Sequence, residues 1–184
     1  MKDLDKSILR RLILKKAFKK GRFKLSSGGT SPYYFDGKQV TLNPEGAASL
    51  AKIILRYVKL DRAQAIGGLT LGADPMVGSV VALAPQARVK IDGFIVRKEP
   101  KKHGTQRSIE GVLKPGCKVI ILDDVITTGS ATFRAIEEVE KLGCRVVRVM
   151  ALVDREEGGG ETLAKRGYLF TPVFRLNDFV NHRD

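Results

Sequence analysis

The sequence predicts an α/β fold in which a central, mostly parallel sheet is flanked by helices. Two observations predict it: short apolar segments alternate with helical segments, and one of them, 119–122, is apolar throughout, as in a central strand buried on both faces. Four strands are expected at 65–68, 93–96, 118–122 and 146–153. Helices are expected at about 74–84 and 130–142, with Gly143 ending the second. A length of 184 residues suits one domain, 1–184.

Both ends of the chain add smaller elements to this sheet. Apolar residues at four-residue steps predict a helix over 4–18, and the aromatic segment 23–40 predicts a strand, a tight turn and a second strand. Asn43 and Pro44 are typical of a helix start, and that helix extends to about Val58. The tail is expected to hold a short helix near 161–166 and an extended piece near 168–175.

Composition and charge exclude several classes of protein. The chain is 43% apolar and 29% charged, as soluble globular proteins are. No apolar run approaches a membrane span, and charges interrupt the first apolar stretch as no signal peptide would allow. Two cysteines and two histidines lack zinc or disulfide spacing, so we expect a reduced, cytoplasmic protein. The net charge of +13 attracts anions and is otherwise explained by a solvated basic surface.

A long basic loop separates two of the predicted central strands. Residues 97–110 are polar and show no helical or strand periodicity, and Pro100 and Gly104 discourage a continuous helix. A loop of this length between core strands is more often functional than not, although a plain surface loop is the alternative. Its cationic side chains are Arg97, Lys98, Lys101, Lys102, His103 and Arg107.

The stretch VIILDDVITTGSA at 119–131 carries the clearest chemistry. An apolar strand ends in Asp123 and Asp124, and a Thr-Thr-Gly-Ser turn then leads into a helix. Backbone N–H groups at such a turn bind anions, and the helix dipole strengthens the binding. Two carboxylates beside a phosphate cradle suit a substrate with hydroxyl groups, or a bound magnesium ion, next to a phosphate. An N-capped helix with two surface aspartates is the simpler alternative.

This stretch resembles the signature of the type I phosphoribosyltransferases, which bind 5-phosphoribosyl 1-pyrophosphate (PRPP). Three further stretches resemble the branch of that family that uses orotate: FKLSSGGTSPYYFD at 23–36, GGLTLGADPMVGSV at 67–80 and RKEPKKHG at 97–104. The resemblance covers about residues 20–182 in the family's order. It implies the type I phosphoribosyltransferase fold, with about 1–42 forming a small hood over the base site. Two lysines that some members carry are absent, at Ser26 and within 71–73.

The resemblance also implies the function and the site residues. The reaction would be transfer of the 5-phosphoribosyl group from PRPP to orotate, with Mg²⁺, in pyrimidine biosynthesis. PRPP would be bound by Arg97, Lys98, Lys101, His103, Asp123, Asp124, Val125, Ile126, Thr127, Thr128, Gly129, Ser130 and Ala131. Orotate would be bound by Thr127, Arg155, Tyr34 and Phe35, with core packing as the alternative for the two aromatic residues. The catalytic residues would be Lys101, His103, Asp123 and Asp124, and no protein side chain is assigned as a dedicated metal ligand.

The family further implies a homodimer in which the 97–104 loop acts on the neighbouring subunit. Two other functions compete with this reading. A related enzyme could use a base without a carboxylate, such as adenine or uracil, but Arg155 would then have no carboxylate of the base to bind. A nucleic-acid-binding regulator would suit the positive charge, but the sequence contains no helix-turn-helix and no aromatic platform, so we do not expect a nucleic acid as partner. Because no apolar run approaches a membrane span, we do not expect a membrane as partner either.

Overall fold

The computed structural model describes residues 3–24, 30–99 and 108–180. The first part of the chain forms helix α1, a π-helical turn, strands β1 and β2, and helices α2 and α3. Their bounds are Leu4–Leu12 for α1, Ile13–Ala17 for the turn, Phe18–Lys24 for β1, Thr30–Phe35 for β2, Lys38–Thr41 for α2 and Pro44–Asp61 for α3. Asn43 caps α3 by accepting a hydrogen bond from the amide of Gly46, as its sequence predicts.

The rest of the chain builds the main sheet and its helices. The strands are β3 Ala65–Leu69, β4 Asp92–Val96, β5 Ile109–Gly111, β6 Lys118–Ile126, β7 Arg145–Asp154 and β8 Phe170–Arg175. The helices are α4 Asp74–Leu83, α5 Ser130–Glu140, α6 Gly159–Lys165 and α7 Asn177–Val180. In the part of the chain that the structure describes, no helix combines the length and apolar character needed to cross a membrane.

The main sheet has six strands in the order β5-β4-β3-β6-β7-β8. All neighbours are parallel except β5, which runs antiparallel to β4 at one edge. This arrangement confirms the predicted mostly parallel sheet. Strand β6 lies in the middle of the order, and its carboxyl end therefore meets those of β3 and β7 at the same edge, where ligands bind in open α/β sheets.

Helices cover both faces of the sheet, as the alternating pattern predicts. Ile120 and Leu122 of β6 belong to the core cluster on the side of α1, α3 and α4. Val119 and Ile121 belong to the cluster on the side of α5, where Ile136 is fully buried. Successive side chains of a strand point to opposite faces, so the apolar run 119–122 of β6 contributes to both cores.

Four predicted boundaries are wrong. Strand β6 does not end at Leu122 but extends to Ile126, because pairing with β7 continues through Asp123 and Val125. The predicted loop 97–110 ends in an edge strand, Ile109–Gly111, that pairs with β4. Strand β1 begins at Phe18, earlier than predicted, and α2 replaces the expected end of the second strand.

The N-terminal region combines a core helix with a separate hairpin. Leu9, Leu12 and Ile13 are buried in the main core, where α1 packs on α3. Strands β1 and β2 form an antiparallel two-stranded sheet of their own, in which Phe18 pairs with Phe35.

Candidate active site

Strand β6 places two adjacent aspartates inside the protein. Asp123 is 8% exposed and Asp124 is 6% exposed. In Asp123, Oδ2 accepts a hydrogen bond from the Thr132 hydroxyl at 2.9 Å and Oδ1 accepts one from the Asp124 amide at 3.0 Å. In Asp124, Oδ1 accepts from the Val125 amide at 3.0 Å and Oδ2 from the Lys38 ammonium at 3.1 Å.

The two carboxyl groups have different electrostatic surroundings. Burial, followed by the charge of Asp124, raises the pKa of Asp123 to about 7, and the Thr132 hydrogen bond only partly opposes this. Partial burial lowers the pKa of Lys38, but attraction to Asp124 outweighs it and the pKa of Lys38 is raised. Asp124 thus faces a fixed positive charge, whereas Asp123 has neutral hydrogen-bond donors.

Two glycines bring other segments against these carboxylates. A Cβ on Gly72, in the segment between β3 and α4, would stand 2.5 Å from Oδ1 of Asp124 and 2.9 Å from Oδ1 of Asp123. A Cβ on Gly37 would stand 2.9 Å from Oδ2 of Asp124. The absence of side chains at both positions is therefore what allows the 70–73 and 36–38 segments to lie on the acidic end of β6.

The turn after β6 leads into the amino end of helix α5. Gly129 adopts a positive φ of 82° and immediately precedes α5, whose first amides have no intrahelical acceptor. The amide of Gly159, at the start of α6, donates to the carbonyl of Thr127 at 2.9 Å. A Cβ on Gly159 would stand 2.5 Å from that carbonyl, so α6 lies directly against the turn.

Arg155 is a buried cation beside the same turn. It is 5% exposed, and its amide donates to the carbonyl of Ile126 at 2.9 Å. Its Nη2 donates to the hydroxyl of Ser31 at 3.0 Å and the carbonyl of Tyr33 at 3.2 Å, and it lies 2.7 Å from Oε1 of Glu157. Within the described residues its Nε is buried without a hydrogen-bond partner. The guanidinium therefore joins the end of β7 to the β1–β2 hairpin.

The structure separates the two predicted aromatic residues. Tyr34 is 39% exposed, and its ring lies 5.4 Å from that of Phe23. Phe35 is buried, with its ring 4.9 Å from Phe18 and 5.5 Å from Phe179. Phe35 thus has the core packing that was the alternative to a place in the base pocket.

Only the first residues of the predicted catalytic loop 97–104 are described. Arg97 donates from its amide to the carbonyl of Ser108 at 2.8 Å and from Nη1 to Glu110 at 3.2 Å. Lys98 is also described, whereas Lys101 and His103 lie outside the described residues.

Sequence reasoning missed Lys38 and Gly72 as parts of this site. Gly72 lies inside a stretch that the sequence singled out, but Lys38 belongs to no motif.

The comparisons with known proteins agree on one family. Residues 41–180 match the model of the phosphoribosyl transferase domain. The orotate phosphoribosyltransferase of Aquifex aeolicus is 43% identical over 180 residues, which is 96% of this chain and 98% of that protein. That of a Nostoc species is 44% identical over 179 residues, 95% of this chain and 86% of that protein.

Solved structures are similar over nearly the same length. The Mycobacterium tuberculosis orotate phosphoribosyltransferase in complex with PRPP has a TM-score of 0.77 and 30% identity, covering 95% of this chain and 98% of that one. The enzyme from Aeropyrum pernix has a TM-score of 0.73 and 32% identity, with 95% and 94% coverage. An adenine phosphoribosyltransferase at 15% identity shows the shared fold alone. The chain belongs to the phosphoribosyltransferase family and, within it, to the orotate phosphoribosyltransferases.

Proposed function

We propose that this protein transfers the 5-phosphoribosyl group from PRPP to orotate, which yields orotidine 5′-phosphate and pyrophosphate in pyrimidine (UMP) biosynthesis. One observation carries the proposal. The paired ends of β6 and β7 bring a buried carboxylate pair, the turn into α5 and the buried Arg155 together, with Ile126 and Asp154 as register partners. These are the groups that a ribose, a phosphate and an anionic base require.

PRPP would lie along the carboxyl end of β6. The amides and hydroxyls of 127–131 would bind its 5′-phosphate, since the start of α5 offers free N–H groups and the positive end of the helix dipole. Asp123 and Asp124 would accept hydrogen bonds from the ribose hydroxyls. Their negative charge would also stabilise the cationic character that develops at the sugar when the bond to pyrophosphate breaks.

Orotate would lie between Arg155 and the β1–β2 hairpin. The planar guanidinium of Arg155 suits a carboxylate, and the carboxylate of orotate would take the place that Glu157 holds beside it. Thr127 directly follows Ile126, whose carbonyl accepts the hydrogen bond from the Arg155 amide, so Thr127 would lie near the base. Tyr34 would contact the base from the hairpin. Under this proposal residues 1–42 act as a hood over the base.

The leaving pyrophosphate needs positive charge. We assign this role to Arg97, Lys98, Lys101 and His103 of the 97–104 loop, with the loop acting on the neighbouring subunit of a homodimer in the cytoplasm. Lys101 or His103 would also supply a proton to the leaving group.

Mg²⁺ fits the oxygen donors of Asp123 and Asp124, which both face the 70–73 segment. Among the described residues no group of three or more metal-ligating side chains exists, so oxygens of PRPP would complete the coordination. When bound, the ion supplies positive charge to the pyrophosphate oxygens.

A spectrophotometric assay tests the proposed function. Purified protein is given orotate, PRPP and Mg²⁺, and loss of orotate absorbance is followed, with adenine and uracil as parallel substrates. We expect orotate to be consumed only when PRPP and Mg²⁺ are both present. Consumption of adenine or uracil instead of orotate would overturn the assignment of the base.

A further inference from the structure

Lys38 reaches the acidic end of β6 from outside the motifs that the proposed function uses. It is the first residue of α2, three positions after the β1–β2 hairpin ends. Its Nζ lies 3.1 Å from Oδ2 of Asp124, and the side chain of Asp124 is only 9% exposed. The preceding residue, Gly37, packs against the same carboxylate, so the backbone fixes the direction from which Lys38 approaches.

This contact fixes both oxygens of Asp124. Oδ2 is held by Lys38, and Oδ1 is held by the amide of Val125 and faces Gly72. The ammonium lies within ion-pairing distance of this carboxylate. Without it, two adjacent buried carboxylates would repel each other and an incoming polyanionic substrate.

We infer that Lys38 is a positioning residue for PRPP: by pairing with Asp124 it orients that carboxylate and offsets its charge where the sugar pyrophosphate binds. The inference rests on the proposed function of the site. Under this inference the segment 31–38 contributes to two parts of the site, because Ser31 and Tyr33 contact Arg155 while Lys38 contacts Asp124. The same short segment therefore touches the base-binding and the ribose-binding sides.

The competing explanation is an ordinary surface ion pair. The Lys38 side chain is 47% exposed, and exposed pairs contribute little to stability. Kinetics separate the two explanations, because a surface pair has no reason to affect one substrate and not the other.

The test compares Lys38→Ala, Lys38→Arg and Lys52→Ala. Lys52 is the matched control, an exposed lysine of α3 that lies 3.7 Å from Asp5. We expect Lys38→Ala to lower kcat/KM for PRPP by roughly tenfold or more, as loss of a supporting contact to a site carboxylate does, with little change in the KM for orotate. Lys38→Arg should restore most of this loss, and Lys52→Ala should match the wild type. Unchanged kinetics in Lys38→Ala, or equal rises in both KM values, would overturn the inference.

A double-mutant cycle asks whether Lys38 acts through Asp124. If it does, Lys38→Ala should weaken PRPP-induced thermal stabilisation much less in an Asp124→Asn background than in the wild type. Additive effects would overturn the inference.

PRPP-induced thermal stabilisation provides a readout independent of orotate. If the wild type fails to consume orotate but is stabilised by PRPP, the proposed base is wrong. The inference about Lys38 then stands if Lys38→Ala weakens that stabilisation, and fails if it does not.

Discussion

Adjacent aspartates at the end of a strand have the same side chain but different surroundings. Asp124 contacts an ammonium group, whereas Asp123 contacts a hydroxyl and a backbone amide. Burial and the nearby negative charge therefore act on Asp123, and its pKa rises from 3.8 to about 7. In the ligand-free protein Asp123 holds a proton over a pH range in which an unfolded chain has already lost it.

This difference predicts how stability depends on pH. The stability contributed by Asp123 is complete below about pH 4 and is lost as the pH rises toward about 7, because the folded-state pKa is raised. At about pH 4 Asp123→Asn should unfold at similar denaturant concentrations to the wild type. At pH 8 it should be more stable by up to about 4 kcal/mol, at about 1.4 kcal/mol per pKa unit. Urea denaturation without ligands or divalent cations measures this, and a difference that is the same at both pH values would contradict it.

Individual site residues differ in how far the sequence could predict them. Asp123, Asp124 and the 127–130 turn follow a strand and precede a helix, so local sequence alone brings them together. Lys38 is 86 positions from Asp124, and only the path of the chain after the hairpin places it there. Phe35 could not be distinguished from Tyr34 by residue type, because burial on one side of a two-stranded sheet is a tertiary property.

At the level of elements, the segment between β3 and α4 owes its position to its backbone. Thr70 donates from its amide to the carbonyl of Val96 at 2.9 Å and from its hydroxyl to Asp74 at 2.7 Å. These bonds fix the segment at both ends while Gly72 approaches the carboxylates of β6. A side chain at Gly72 would fill the space between them.

Gly72→Ala should therefore damage the site, whereas Gly78→Ala should not. Gly78 lies within α4 with nothing within 4 Å of its added Cβ, so alanine there should stabilise the helix by roughly 0.5 to 1 kcal/mol. Gly72→Ala should keep its fold and lose about tenfold or more in kcat/KM for PRPP, since the 2.5 Å contact forces the segment away from Asp124. Steady-state kinetics and thermal melts of both variants check this, and equal kinetics for the two would contradict it.

The elements that the sequence predicted best are those with strong hydrophobic patterns. The buried strands and α3, α4 and α5 match their patterns closely. The end of β6 was missed because two charged residues at 123–124 interrupt the apolar pattern while backbone pairing with β7 continues. The edge strand β5 has three half-exposed or exposed residues, which leave no hydrophobic signal, and only its pairing with β4 defines it.

For the whole molecule, the central proposal is that two subunits share each active site. The family resemblance implies that the 97–104 loop acts on the neighbouring subunit. Two chains that are each defective in a different part of the site should then complement each other. Lys101→Ala removes a loop cation, and Asp124→Asn removes a carboxylate from the β6 side.

Mixed and reassembled Lys101→Ala and Asp124→Asn chains should regain activity. With equal amounts, half of the dimers are mixed and each has one intact site, so activity should reach about a quarter of the wild-type value. The controls are each variant reassembled alone, which should stay nearly inactive with unchanged melting temperatures. If the mixture is no more active than its parts, the loop acts within its own subunit.

A crystal structure with orotidine 5′-phosphate is the most direct test of the site as a whole, because this one molecule carries the phosphate, the ribose and the base carboxylate. We predict its phosphate on the amides of 127–131, its ribose hydroxyls at Asp123 and Asp124, and its carboxylate on Arg155 in place of Glu157. A molecule bound elsewhere, or one whose carboxylate faces away from Arg155, would contradict the account.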